Sequence, residues 1–313
     1  MRKALRVMLV AACLVLLVAG QSLAADAPGK KITFTKYPGF KLGFLSASFG
    51  PAGIGPSVEN AKMLIDFGKE QGFAWMELRD ASAALSTDEI KAISKYADSK
   101  KIEIVYASNR GPLEGDYWQV LGNSWRNALL FKKGTRTVRT ADSGDEFAKA
   151  PKKMALTEAE FKKAVDTTNR AAKGVKDVGL HLVVEDAFLP VLGPYGFEAF
   201  TDATDKTVGL QLDTANMFCT SRVRTDPKEA ERVIRKIAPR LYYTHLKASV
   251  NGVCQPVLTD SELDFGVIFE ILAKNKKNYI AIELVGVKTV EETKANFVKS
   301  LEYLKNKGFI TIK

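Results

Sequence analysis

Histidine is nearly missing from this chain: 313 residues contain two, His181 and His245. Cysteine is almost as scarce, at Cys13, Cys219 and Cys254, with a spacing that excludes a cysteine-based zinc site. The segment Ser46-Ala47-Ser48-Phe49-Gly50-Pro51-Ala52-Gly53-Ile54-Gly55 is rich in glycine. It lacks the G-x-G-x-x-G spacing before a helix, and Pro51 and Pro56 interrupt it, so it reads as a rim loop and not as a dinucleotide turn. No block of basic residues forms an arm. The formal charge is +10, but the lysines are dispersed along helical segments, as in Lys91, Lys95 and Lys100. A solvated surface accounts for them, and no nucleic-acid partner is expected. Asp264-Phe265-Gly266 matches a kinase tripeptide without the accompanying loops, and is read as chance.

An apolar run at the start is too short to span a bilayer comfortably. Arg2, Lys3 and Arg6 precede Val7 to Gly20, and Ser22-Leu23-Ala24 supplies a small-residue cleavage site. Residues 1–24 therefore read as a secretory signal peptide and 25–31 as a linker, an uncleaved anchor being the alternative. Val10-Ala11-Ala12-Cys13 falls too early in the run to serve as a lipoprotein box. Cleavage would lower the formal charge by three, to +7, and leave no stable membrane insertion. The mature protein is expected in the periplasm or outside the cell. A Cys219–Cys254 disulfide is plausible in such an oxidising compartment, two separate thiols being the alternative.

The remaining chain, 46% hydrophobic over its full length, alternates short β-type runs with amphipathic helices. Strands are expected near 42–45, 73–78, 102–107, 136–140, 180–184, 209–212, 241–246 and 279–283. Helices are expected over 58–71, 86–100, 116–133, 157–178, 227–238, 265–276 and 290–307. Residues 190–205 read as a poorly periodic connector. Eight alternations without a second compositional regime argue an α/β fold, a (β/α)8 TIM barrel over 32–313; a doubly wound open sheet is the alternative.

Four polar residues end four of the apolar runs: Glu185, Asp213, His245 and Glu283, at intervals of 28, 32 and 38 residues. A barrel of roughly 250 residues spends about 31 on each unit. The four thus recur at the barrel's own period, each where a strand meets the rim that carries active sites. Unpaired acids at strand ends are costly to bury, and a cation at their focus removes that cost. Three carboxylates and an imidazole suit Mn²⁺, Mg²⁺, Co²⁺ or Zn²⁺. A lone acid at such a position is ordinarily a cap or a salt-bridge partner; the common period makes the set. His181 sits at the opposite end of its strand and reads as structural. Lys247 and Ser249 share the parity of His245, and Lys247 is a candidate contact for a substrate hydroxyl or oxyanion. Glu77, Arg79 and Asn109, at the ends of the second and third strands, are further polar candidates. Trp118, Trp125, Phe188 and Phe218 are aromatic residues near the rim, and Trp118 is taken as a candidate sugar-stacking surface.

Gly209-Leu210-Gln211-Leu212-Asp213-Thr214-Ala215-Asn216 resembles the "lDtgN/H" segment of the xylose isomerase-like TIM barrels, the sugar isomerase/epimerase superfamily. Thr244-His245-Leu246-Lys247 is similar to its "HxK" strand, and Val184-Glu185 and Ile282-Glu283 to its two glutamate strands. Glu77 fits the glutamate of its second strand, and Leu263-Asp264-Phe265-Gly266-Val267-Ile268-Phe269 its "iDf..i...L" helix entry. The resemblance covers nearly the whole mature chain. It implies that Glu185, Asp213, His245 and Glu283 hold one divalent metal, often Mn²⁺. It also implies that Glu185 and Glu283 act as an acid/base pair on opposite faces of a sugar, through an enediolate. Asn216 would then be a substrate contact. The chain departs from the pattern at Asn216 (commonly histidine), Val191 (glutamate) and Ala248 (acid), which puts the usual epimerase substrate in question. An endonuclease IV-type site needs many histidines, which this chain lacks. The expected partner is a small sugar or polyol. A lyase or hydrolase acting on oxidised (keto) glycosides, and a non-catalytic sugar-binding barrel, are the alternatives.

Overall fold

In a computed structural model, residues 29–140, 156–186, 193–220 and 225–313 are described. The expected signal peptide, Phe188 and Val191 lie outside them. The chain begins with β1 (Ile32–Phe34), which pairs antiparallel with the last strand, β12 (Ile310–Ile312), away from the barrel. The barrel is built from β2 (Lys41–Leu45), β3 (Trp75–Arg79), β4 (Glu103–Ala107), β5 (Thr137–Thr140), β6 (His181–Glu185), β7 (Gly209–Asp213), β8 (Leu241–Leu246) and β11 (Tyr279–Ile282). All pairings within it are parallel, and β11 closes on β2 with Ile280 opposite Leu42. The eight expected strands are the eight staves.

Among the described residues eight α-helices accompany them: α1 (Val58–Gln71), α2 (Thr87–Lys100), α3 (Tyr117–Leu129), α4 (Glu158–Asp177), α5 (Gly193–Ala203), α6 (Pro227–Ile237), α7 (Phe265–Lys274) and α8 (Val290–Asn306). Local chemistry sets many of their starts. Ser86 and Thr157 form capping boxes with Glu89 and Glu160, and Ser57 and Asp226 cap α1 and α6. The segment 190–205, expected to be irregular, contains α5. Its Phe197 and Phe200 are buried, and the hydroxyls of Thr201 and Thr204 donate to carbonyls one turn earlier. Packing of this short apolar face against α6 supplies what the local Gly and Pro residues withhold.

Two apolar layers result. The larger one lies between staves and helices. The smaller fills the lumen with Leu45, Trp75, Val105, Val183, Tyr243 and Ala281. Gly43 is required there: a Cβ on it would lie 2.4 Å from the Trp75 ring. Side chains alternate along a strand, so residues two beyond a lumen residue also face the lumen, one layer nearer the rim. Glu185 stands two beyond Val183, His245 two beyond Tyr243, and Glu283 two beyond Ala281.

Past the barrel, β9 (Ser249–Val250) and β10 (Val253–Cys254) form a hairpin over Asn251-Gly252, both with positive φ, as a tight primed turn requires. A π-turn, Asn216–Thr220, follows β7. A disulfide joins Cys219 in that turn to Cys254 in the hairpin, with Cα atoms 5.3 Å apart. It links the rim segments just beyond the strands that deliver Asp213 and His245. Among the described residues no helix is long and apolar enough to cross a membrane.

Candidate metal centre

Glu185, Asp213, His245 and Glu283 converge at the rim end of the lumen, each with a ligand atom within 4.8 Å of the others. Bonds of about 2.0–2.6 Å to a single cation span that spread. Asp213 and His245 are wholly buried, Glu185 nearly so, and the Glu283 side chain is 20% exposed. Asp213 Oδ2, His245 Nδ1 and Glu283 Oε2 are buried without a well-directed hydrogen bond, although Lys247 Nζ lies 2.5 Å from Asp213 Oδ2. His245 Nδ1 lies 2.7 Å from Glu283 Oε2, but off the hydrogen-bonding direction. Buried polar atoms are ordinarily paired. Three such atoms from three strands, aimed at one point, are what a hard or borderline divalent cation takes as ligands.

The surroundings orient these donors. Glu77 of β3 is fully buried; its Oε2 lies 3.0 Å from His245 Nε2, and its Oε1 accepts from Arg139 Nη2 at 3.0 Å. Burial opposes the charged form of Glu77, but Arg139 and His245 outweigh it and hold the carboxyl down at about 2. An ionised carboxylate only accepts, so Nε2 carries the proton, which leaves Nδ1 for a metal, the usual carboxylate–histidine arrangement. Glu77 thus lies behind His245 and does not face a substrate as expected. Arg139 Nη1 donates to Glu185 Oε2, so the guanidinium bridges Glu77 and a candidate ligand.

On the other side, Lys247 Nζ lies 2.5 Å from Asp213 Oδ2, 3.3 Å from Glu283 Oε1, and donates to Asn216 Oδ1 at 2.8 Å. Burial would lower Lys247, but Asp213 and Glu283 raise it above its ordinary value. Glu283 is held well below the usual carboxylate range: burial is outweighed by Lys247 and His245. Asp213 is pushed up to about 7, by burial first and then by Glu283 and Glu185, against the pull of Lys247. Burial disfavours a charge on His245 too, yet Glu77 and Glu283 push it up to about 10. The carboxylates thus favour positive charge at their centre. Asp186 adds to them: its Oδ1 accepts from the Asp213 amide at 3.2 Å and from Asn216 Nδ2 at 3.1 Å. Burial and the neighbouring Asp213 and Glu185 raise its carboxyl well above the usual range.

Several expected residues fall elsewhere. Trp118 is 45% exposed on α3, with the Arg170 guanidinium of α4 stacked on it at 5.1 Å, so it belongs to the helix layer. Asn109 is buried beyond β4, its amide donating to the Ala81 carbonyl. Trp125 and Phe218 pack against the outer core, and Ala248 lies within it, so Ala248 is not a substrate contact. Arg139 and Asp186 are the members that sequence reading missed. Arg139 shares the lumen-facing parity of its strand, and Asp186 directly follows Glu185.

No protein-family model matches the chain, and no curated protein matches it in sequence. Solved structures do match. A xylose isomerase-like TIM barrel protein from Mycobacterium smegmatis, in complex with magnesium, aligns over 85% of this chain and 97% of its own, at 16% identity and TM-score 0.62. The D-allulose 3-epimerase from Methylomonas sp. in complex with D-allulose aligns over 85% and 96%, at 14% identity and TM-score 0.64. The D-psicose 3-epimerase from Clostridium cellulolyticum H10, with D-tagatose, aligns over 84% and 99%, at 15% identity and TM-score 0.59. The fold is that of the xylose isomerase-like TIM barrels.

Proposed function

We propose that the protein is an exported, divalent-metal-dependent sugar isomerase or epimerase that removes a proton next to a carbonyl. The observation that carries this reading is the convergence of one ligand atom each from Glu185, Asp213, His245 and Glu283 within 4.8 Å of one another, at the buried rim end of the lumen. Glu185, Asp213, His245 and Glu283 would hold the ion, with Mn²⁺ the first candidate. When bound, such an ion polarises a carbonyl and stabilises the negative charge that develops on its oxygen. Glu283 takes the carbon-bound proton. Glu185 returns one from the other face when the outcome is epimerisation. Lys247, held by Asn216, donates to a substrate oxygen at the open edge of the site. Glu77 keeps the His245 ring in place. Export is supported by the N-terminal sequence and by the Cys219–Cys254 bridge, which suits an oxidising compartment.

A second reading uses the same site. Arg139 donates to Glu185 and occupies one of its carboxylate oxygens, Oε2. With Glu283 alone moving the proton the chemistry is one-sided, and with a leaving group β to the carbanion this is elimination from an oxidised glycoside.

The test is metal analysis of the purified protein beside Glu185→Gln, followed by incubation with ketoses in deuterated water. One bound ion per chain, its loss in the variant, and deuterium at carbon without bond cleavage are expected. Release of a free sugar would select elimination instead. A wild type that holds no divalent ion after dialysis against Mn²⁺ would remove the basis of both readings.

A further inference from the structure

Where β2 and β3 reach the rim lies a cavity of about 480 Å³, within the roughly 300–1,000 Å³ range of small-molecule sites. Its walls are the rim loop after β2, the first turns of α1, and the end of β3 with the residues after it. Gly50, Gly53 and Gly55 line it, and a Cβ on any of them would meet nothing within 4 Å, so the loop leaves the space open. Ala47 touches both this cavity and the lumen cluster.

Arg79 is the one charged residue on these walls. It stands two residues beyond Glu77 on β3 and so shares its lumen-facing parity, about 7 Å further toward the rim at 3.3 Å per residue. Its backbone amide donates to Ser46 Oγ at 2.9 Å, which fixes the main chain. The guanidinium, in a partly buried residue, makes no hydrogen bond or ion pair with any described residue. Other described cations near the rim are matched: Arg139 by Glu77 and Glu185, Lys247 by Asp213 and Glu283, Arg110 by Glu114 and Asp116. A partly desolvated cation without a counter-charge is costly, and a bound anion removes that cost.

We propose that this cavity is a subsite for a carboxylate carried by the substrate, read by Arg79, which makes the substrate an acidic sugar of the uronate class. The inference deepens the proposed function and rests on it for the identity of the reacting end. A single planar guanidinium matches one carboxylate in a two-pronged contact, whereas a phosphate dianion calls for more positive charge than these walls carry. Arg79 shares its strand with Glu77, whose carboxylate holds the His245 ring, so a sugar with its carbonyl at the metal centre and its carboxylate toward the rim would run in the direction of Arg79.

The test is an NMR binding titration of the full chain with D-glucuronate, D-glucose and glucose 6-phosphate, with Mn²⁺ and with chelator, for wild type, Arg79→Gln and Arg79→Lys. A charge-assisted contact corresponds to about tenfold in affinity or more. Wild type is expected to hold glucuronate at least tenfold more tightly than glucose. Arg79→Gln should erase that preference and leave glucose binding and the unfolding midpoint unchanged, while Arg79→Lys keeps part of it. Equal affinities in wild type, no glucuronate binding, or a preference that survives in Arg79→Gln would overturn the subsite. A preference for glucose 6-phosphate would replace the carboxylate by phosphate and overturn the uronate assignment. A glucuronate preference that persists in chelator, in a protein that exchanges no substrate proton, would keep the subsite and remove the catalytic reading. Exchange on neutral ketoses with no acid preference would do the reverse.

Discussion

Replacing Arg139 by methionine should lower stability and sharpen the response to metal at the same time. The side chain is 2% exposed and bridges two carboxylates, Glu77 at 3.0 Å and Glu185. Each charge-assisted bond is worth about 1.5–3 kcal/mol, and breaking a buried pair by removing one partner costs about 3–5 kcal/mol. A loss of about 4 kcal/mol is therefore expected, or roughly 8–16 °C in Tm for a domain of this size. The deleted charge also repelled any cation held by Glu185. At a separation on the order of 6 Å and an effective dielectric of about 20, that repulsion on a divalent ion is a few kcal/mol. Binding to the folded state alone then recovers more stability in the variant than in wild type. The assay is thermal unfolding in chelator and in saturating Mn²⁺. The variant should unfold well below wild type in chelator, and its metal-induced rise should be the larger of the two. Equal midpoints in chelator would refute the pairing. A metal-induced rise no greater than that of wild type would refute the electrostatic coupling. Arg139→Lys, which keeps the charge but cannot bridge both carboxylates, should fall between them.

Three further outcomes rest on Glu77 and on the disulfide. Glu77→Gln never touches the ion, yet it should weaken Mn²⁺ binding about 10- to 100-fold in calorimetric titration, because Glu77 sets the His245 ring; unchanged affinity would mean the ring is positioned otherwise. The depressed Glu77 carboxyl, at about 2 against 4.5, contributes stability that is present above pH 4.5 and lost as pH falls through the folded value, so urea midpoints between pH 5 and 2 should fall less steeply in the variant than in wild type. Cys219→Ala removes a crosslink across 35 residues, for which chain entropy gives about 4 kcal/mol. Reduction of the wild type should lower the urea midpoint by a matching amount, and no change on reduction would show that the bridge is not formed in solution.

The staves were legible because each is a short apolar run buried on both faces, and the quartet because its members extend the lumen-facing parity of those runs. Both are properties of a repeating backbone, which a sequence displays directly. Helix α5 was not legible: Gly193, Pro194 and Gly196 weaken its start, and its two buried phenylalanines gain their order from α6. Trp118 was misplaced because an aromatic residue near the rim does not reveal which side of its helix it occupies; here Arg170 covers it. Arg139 was hidden by its own charge, which marks a residue as solvent-facing when it is taken alone. A charged residue at a lumen position is a signal in itself, since its cost must be met by partners on other strands, and those partners cannot be read from spacing.

Those partners change what the two glutamates can do. Resemblance alone treats Glu185 and Glu283 as an equivalent pair. In this chain Glu185 is 9% exposed and tied to a guanidinium that is itself fixed to Glu77, so its carboxylate has one settled orientation. Glu283 follows the last residue of its strand, is 20% exposed, and faces Lys247 at 3.3 Å, on a side chain that can turn. On the proposed reaction, an ion held by Asp213 and Glu283 would take oxygens that now face Lys247, and the ammonium would be available to a substrate oxygen. Glu185 stays clamped throughout. The asymmetry assigns proton removal to Glu283, and it makes Arg139 the residue whose replacement should bring Glu185 closest to an equal partner.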